Sequence, residues 1–117
     1  MATTANRRVI VELTGDINAV NSFAAAANAL SPGVINIVTL AIGANTITPP
    51  TGGSTPKSLT IIPPAGNVAT LTLKGVSGDT GVVLHVTDPT SIGLNSPTDT
   101  LVLDASAEIT GVQLIWT

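Results

Sequence analysis

The chain contains no cysteine and few charged or aromatic side chains. Among its 117 residues there are one tryptophan, one phenylalanine and no tyrosine, and Lys, Arg, Asp and Glu together make up 9 %. Without cysteine, a disulfide framework, a thiolate metal site and a thiol nucleophile are all excluded. Soluble domains usually carry about 25 % charged residues, which keep their surfaces in water. The scarcity of charge therefore predicts a surface that other subunits cover in large part.

Basic residues are also too few for nucleic acid binding. The chain has four Lys and Arg against seven Asp and Glu, for a formal net charge of −3. Neutralising even about six phosphates would need more positive charges than are present. The apolar run after Arg7-Arg8 is interrupted by Glu12 and Asp16, and no segment approaches the ~20 apolar residues of a membrane span. We expect neither nucleic acid nor membrane as a partner.

Alternation of apolar and polar residues predicts β-strands along most of the chain. In the segment ATLTLKG, residues 69–75, Leu71 and Leu73 alternate with Thr70, Thr72 and Lys74, which is the period of a half-buried strand. Similar patterns occupy residues 8–13, 34–40, 57–62, 82–86, 99–104 and 112–117, with a weaker one at 45–48. Glycine and proline turns separate them. The pattern predicts one all-β domain over residues 1–117, an antiparallel β-sandwich that is jelly-roll-like or a small barrel.

One segment departs from this alternation. The stretch NSFAAAANAL, residues 21–30, is rich in alanine, offers Asn21 or Ser22 as an N-cap and is followed by Ser31-Pro32-Gly33. These features predict one short helix near residues 22–30.

Several predicted strands are apolar on both sides. If alternate residues such as Val9, Leu71 and Leu103 point into the core, the opposite side still carries isoleucine and valine. A chain of this length has too few residues to cover both sides, so we expect a homo-oligomer to cover the second one. The candidate subunit-interface residues are Ile10, Val102, Ile115 and Trp116.

The triplet Asp79-Thr80-Gly81 has the same three residues as the Asp-Thr-Gly motif of aspartic proteases. Such an enzyme needs two aspartates that share a proton, and the motif must follow an apolar strand. Here the triplet follows Val76-Ser77-Gly78, which are residues typical of a turn and not of an apolar strand. Gly tolerates positive φ and Asp bonds its own backbone, so the segment predicts a hairpin loop between two strands.

The remaining polar residues predict no catalytic or metal site. His85 is the only histidine and has no cysteine partner, while Asp88, Asp99 and Asp104 lack the spacing of a calcium loop. We expect no cofactor, no metal and no enzymatic activity. Trp116 leaves one alternative open, because a tryptophan can stack on a sugar ring in a carbohydrate-binding module as well as anchor a core.

The run TPKSLTIIPPAGNVATLTLKGVSGDTGVVLHVTDPTSIGL and the closing ITGVQLIWT resemble small β-structured virion proteins of tailed bacteriophages. The resemblance covers about residues 55–117. It implies a location in the virion, after assembly in the host cytoplasm, and a homotrimeric capsid decoration (cement) protein bound to the major capsid protein. A tail-tip, collar or fibre attachment subunit, bound to tail proteins, is the alternative. The resemblance carries over no functional residues, because such proteins act through surfaces.

Overall fold

The computed structural model describes residues 3–5, 8–13, 19–24, 28–30, 35–50, 55–95 and 100–117, and before residue 31 it describes the path of the backbone. Every regular element in these ranges is a β-strand, and every strand pair is antiparallel. The chain is therefore all-β, as its alternating pattern predicts. The strands are β1 Thr3–Ala5, β2 Arg8–Leu13, β3 Ala19–Ala24, β4 Asn28–Leu30, β5 Ile35–Leu40, β6 Gly43–Ile47, β7 Ser58–Ile62, β8 Leu71–Lys74, β9 Val82–Val83, β10 Thr90–Gly93, β11 Leu101–Ala105 and β12 Ile109–Trp116.

Two four-stranded sheets make up the part of the chain from residue 35 onward. The first sheet has the strand order β10-β7-β12-β5, and the second has the order β6-β11-β8-β9. Consecutive strands β5 and β6 belong to different sheets, so Ala41 and Ile42 carry the chain from one sheet to the other. Each sheet has two edge strands, so these eight strands do not form a closed barrel, which was one of the alternatives for the fold.

Both sheets contribute side chains to one hydrophobic core. The first sheet supplies residues such as Leu59, Leu114 and Trp116, each at most 3 % exposed, and the second supplies Leu71 and Leu103, which are fully buried. Burial of a large apolar side chain contributes about 1.5–3 kcal/mol. The shared core is thus what holds the two sheets together.

A β-bulge in β12 keeps its apolar residues on the core side. The register of β12 against β5 shifts between Thr110 and Val112, and the intervening Gly111 has a φ of 85°. Glycine adopts this left-handed conformation without the steric cost that a Cβ brings. Because the bulge adds one residue, Ile109 and Val112 both face the core although they lie three positions apart.

The short helix predicted near residues 22–30 is wrong. Strand β3 occupies Ala19–Ala24 and pairs with β2 in a six-residue ladder, while β4 occupies Asn28–Leu30 and pairs with β1. Residues 25–27 lie outside the described residues. A two-turn helix is marginal on its own in water, whereas β2 offers a six-residue strand with three β-branched residues to pair with. The ladder therefore overrides the helix propensity of alanine.

Two further expectations need correction at the level of single strands. The predicted strand at residues 82–86 is reduced to Val82 and Val83, because the chain leaves the ladder before His85. Strand β10, which forms one edge of the first sheet, is not predicted by the sequence pattern. Its short segment TSIG contains a glycine and only one apolar residue, too few for a visible alternation.

Gly81 provides a stability test of the hairpin between β8 and β9. It has a φ of 74°, and a Cβ there would lie 2.5 Å from the carbonyl oxygen of Leu73 and 2.6 Å from Cγ of Lys74. Replacement Gly81→Ala is expected to lower the free energy of unfolding by about 2 kcal/mol or more, measured by urea denaturation. Gly78→Ala is the control, because nothing lies within 4 Å of its added Cβ, and it should change stability by less than about 0.5 kcal/mol. Equal effects of the two replacements would contradict this close packing.

Candidate functional site

The outward side of the first sheet is an uncharged surface rich in isoleucine. Directly opposed residues of an antiparallel ladder share a face, and residues two apart on one strand share it too. The ladders place Ile35, Ile115, Thr60 and Ser91 in one row across the sheet, and Ile37, Gln113 and Ile62 in the next row. We call these seven residues the isoleucine face.

Its most exposed part lies on the edge strand β5. The side chains of Ile35 and Ile37 are 57 % and 70 % exposed, while Ile62 and Ile115, nearer the middle of the sheet, are half-buried. The hydroxyls of Thr60 and Ser91 bond to each other at 3.0 Å across the same surface. Four isoleucines and three neutral polar residues thus form one continuous surface without a charge.

The outward side of the second sheet is built differently. Its rows place Lys74 opposite Val102, and Asp104 two residues further along β11. The ammonium of Lys74 lies 3.0 Å from a carboxylate oxygen of Asp104, and the Lys74 side chain is only 15 % exposed. Gly81 of the returning hairpin passes against Cγ of Lys74. An ion pair and a hairpin therefore occupy this side, which distinguishes it from the isoleucine face.

The structure brings one of the four predicted interface residues to the isoleucine face. Ile115 lies there, between Ile35 and Thr60. Val102 is only 8 % exposed, on the other sheet beside Lys74, and Trp116 is fully buried in the core. Neither has surface to offer a partner in this conformation. The side chain of Ile10 lies outside the described residues, so its role stays a prediction.

The sequence pattern does not single out Ile35 and Ile37, the two most exposed isoleucines of the isoleucine face. The segment INIVTL is apolar on both sides of the strand, with Val38 and Leu40 on one side and these isoleucines on the other. Alternation alone cannot say which side meets the core. The ladder with β12 decides it, because Val38 stands opposite the buried Val112.

A cleft of about 340 Å³ separates the two edge strands β5 and β6. Its lining is uncharged and includes Asn36, Thr48 and the inner residues Leu114 and Trp116. The indole Nε1–H of Trp116 is buried and has no hydrogen-bond partner within the described ranges. Because the whole side chain of Trp116 is 0 % exposed, it serves as a packing anchor and presents no ring surface for a sugar to stack on.

His85 caps a turn in this structure. Its Nδ1 accepts hydrogen bonds from the backbone N–H groups of Thr87 at 3.2 Å and Asp88 at 2.9 Å. Nδ1 is thus the acceptor nitrogen, and the ring hydrogen is assigned to Nε2. The segments that the structure describes contain no group of three His, Cys, Asp or Glu residues placed to hold a metal ion. Asp99 lies outside those segments.

Asp79 is part of the hairpin loop between β8 and β9, which confirms the predicted turn. Strand β8 pairs with β9 through Leu73 and Val82, on either side of the loop. The backbone N–H of Asp79 donates to the carbonyl of Val76 at 3.1 Å, and the carboxylate accepts from the N–H of Val76 at 3.0 Å. The carboxylate therefore closes its own turn.

Comparisons with protein-family models, curated proteins and solved structures found no match for this chain. None of the described segments forms an apolar helix of bilayer-spanning length.

The turn role of Asp79 leads to a test by substitution. Asp79→Asn keeps an oxygen that can accept from the N–H of Val76, so folding should change by less than about 1 kcal/mol. Asp79→Ala removes the acceptor and should cost more than Asp79→Asn in the same chemical denaturation experiment. If Asp79→Asn instead abolished a function of the folded protein, the carboxylate would have a role beyond the turn.

Proposed function

We propose that this chain is a non-enzymatic structural subunit of a tailed-bacteriophage virion, specifically a capsid decoration protein, and that the isoleucine face is its docking surface. Two features of this face carry the proposal. None of its seven residues is charged, and two of them, Ile35 and Ile37, are 57 % and 70 % exposed. Contiguous exposed apolar surface on a soluble domain marks an interaction site.

The energetics favour burial of this surface. Full burial of one isoleucine side chain contributes about 1.5–3 kcal/mol. Four isoleucines share the face, two of them already half-buried. Their combined gain reaches the lower end of the association cost, which is about 4–15 kcal/mol, so neighbouring polar and backbone contacts would complete a stable interface.

The scaffold we infer for this role is a β-sandwich, in which the two four-stranded sheets share one core and each presents one side outward. A rigid sheet holds the isoleucine face in a fixed shape, which suits a protein that acts through its surface. The ion pair of Lys74 and Asp104 lies on the opposite sheet, where it provides charge away from the docking surface. The resemblance of residues 55–117 to virion proteins supports the virion as the setting.

Labelling of purified virus particles tests this role. An antibody against the folded chain should decorate particles at regular positions on the capsid in electron micrographs, and the chain should appear in the particle proteome at a fixed ratio to the major capsid protein. Labels at the tail would instead place the subunit in a tail tip, collar or fibre. Absence of the chain from purified particles would contradict the proposal.

A charge placed in the middle of the isoleucine face should block docking without unfolding the chain. Ile115 lies between Ile35 and Thr60 and points outward, so the ammonium of Ile115→Lys can stay in water in the free subunit. We expect native circular dichroism and at least a tenfold loss of particle incorporation, because docking would desolvate the charge. Val83→Lys is the matched control and should incorporate normally, because Val83 is 67 % exposed on β9, the edge strand of the second sheet that lies farthest from β6 in the strand order. Equal incorporation of the two variants would show that the docking surface is not the isoleucine face.

A further inference from the structure

The two four-stranded sheets have four edge strands, and three of them carry features that discourage pairing with another strand. Strand β9 is only two residues long. Strand β10 follows Pro89 and ends at Gly93, and β6 begins at Gly43 and runs into Pro49-Pro50. Short length, proline and glycine are known means of protecting a sheet edge.

Strand β5 has none of these features. It spans six residues, INIVTL, with no proline, glycine or charge, and three of the six are β-branched isoleucine or valine. In the part of the chain that the structure describes, it is hydrogen-bonded on one side only, to β12. Its outward backbone groups and its exposed Ile35 and Ile37 therefore form an unprotected edge.

We propose that β5 is the site where this chain joins a second copy of itself. Two β5 strands pair antiparallel about a two-fold axis, so the first sheet of each copy continues into the other as one eight-stranded sheet. The inference concerns the free edge of the sheet that carries the isoleucine face, and it rests on the proposed function only for its setting in a particle.

The neutrality of β5 favours a second copy as the occupant. A two-fold contact places each residue near its own copy, so a charged strand would bring like charges together. No residue of β5 is charged, and the opposing residue of β12 beside Ile37 is the neutral Gln113. The contact also joins the isoleucine faces of both copies into one surface of twice the extent.

The geometry of a sheet limits the register of this contact. When two antiparallel strands continue one sheet, directly opposed side chains lie on the same face, so outward residues must oppose outward residues. Centring the axis on Ile37 meets this condition: Ile37 opposes its own copy, and Ile35 opposes Thr39. This register places Ile37 at the axis, and Ile37, which is 70 % exposed, is the more exposed of the two isoleucines in β5.

The absence of cysteine makes the register measurable by cross-linking. In the otherwise cysteine-free full chain, Ile37→Cys introduces a thiol whose only possible partner is the same residue of another copy. Opposed Cβ atoms across a ladder lie about 4.5–5.5 Å apart, close to the reach of a disulfide. Mild oxidation should convert most of Ile37→Cys to a covalent dimer. Val83→Cys, which replaces a 67 % exposed residue on β9, is the matched control and should form at least tenfold less dimer.

Sedimentation supplies the second measurement. The unmodified chain should sediment as a dimer, Ile37→Lys as a folded monomer and Val83→Lys as a dimer. A monomeric or trimeric unmodified chain, or equal cross-linking of the two cysteine variants, would overturn the inference. Particle labelling tests the proposed function separately: a β5 dimer that is absent from virions would refute the function alone, whereas a virion-bound trimer would refute the β5 contact alone.

Discussion

The burial of the inward side of β12 against the second sheet is the interaction on which the rest of the structure depends. Val112, Leu114 and Trp116 on this strand are at most 3 % exposed and belong to the core that both sheets share. Strand β12 is also the partner of both β5 and β7. Its position in the first sheet fixes which side of β5 faces inward, and hence which residues of β5 face outward.

The same strand therefore determines the candidate site. Because residues alternate along a strand, burial of Leu114 and Trp116 turns Ile115 and Gln113 outward, and the ladder aligns Ile35 and Ile37 beside them. The second sheet shares the core but covers its outward side with the pair of Lys74 and Asp104 and with the β8–β9 hairpin. The difference between the two outward sides, more than the low charge of the whole chain, marks one of them as a contact surface.

Sequence pattern predicts the all-β class, most strand positions in the two larger sheets and the hairpin at Asp79, because these depend on local alternation and turn chemistry. It fails where partners distant in the sequence decide the outcome. The alanine-rich segment pairs as strand β3 against β2, and Val102 is buried beside Lys74 from another strand. In the candidate site, the sequence pattern predicts the outward direction of Ile115 but not that of Ile35 and Ile37, which depends on the register with β12. A partner contact at Ile115 stays a prediction.

Methyl NMR with a neutral paramagnetic cosolute can compare the exposure of the isoleucine face in the dilute subunit and in its assembled form. We expect the methyl groups of Ile35, Ile37 and Ile115 to lose most of their cosolute-induced relaxation on assembly. Val76, Val82 and Val83, which are 62–67 % exposed near or on the second sheet, should keep theirs. Protection of these valines with continued exposure of the isoleucines would show that the contact surface is not the isoleucine face.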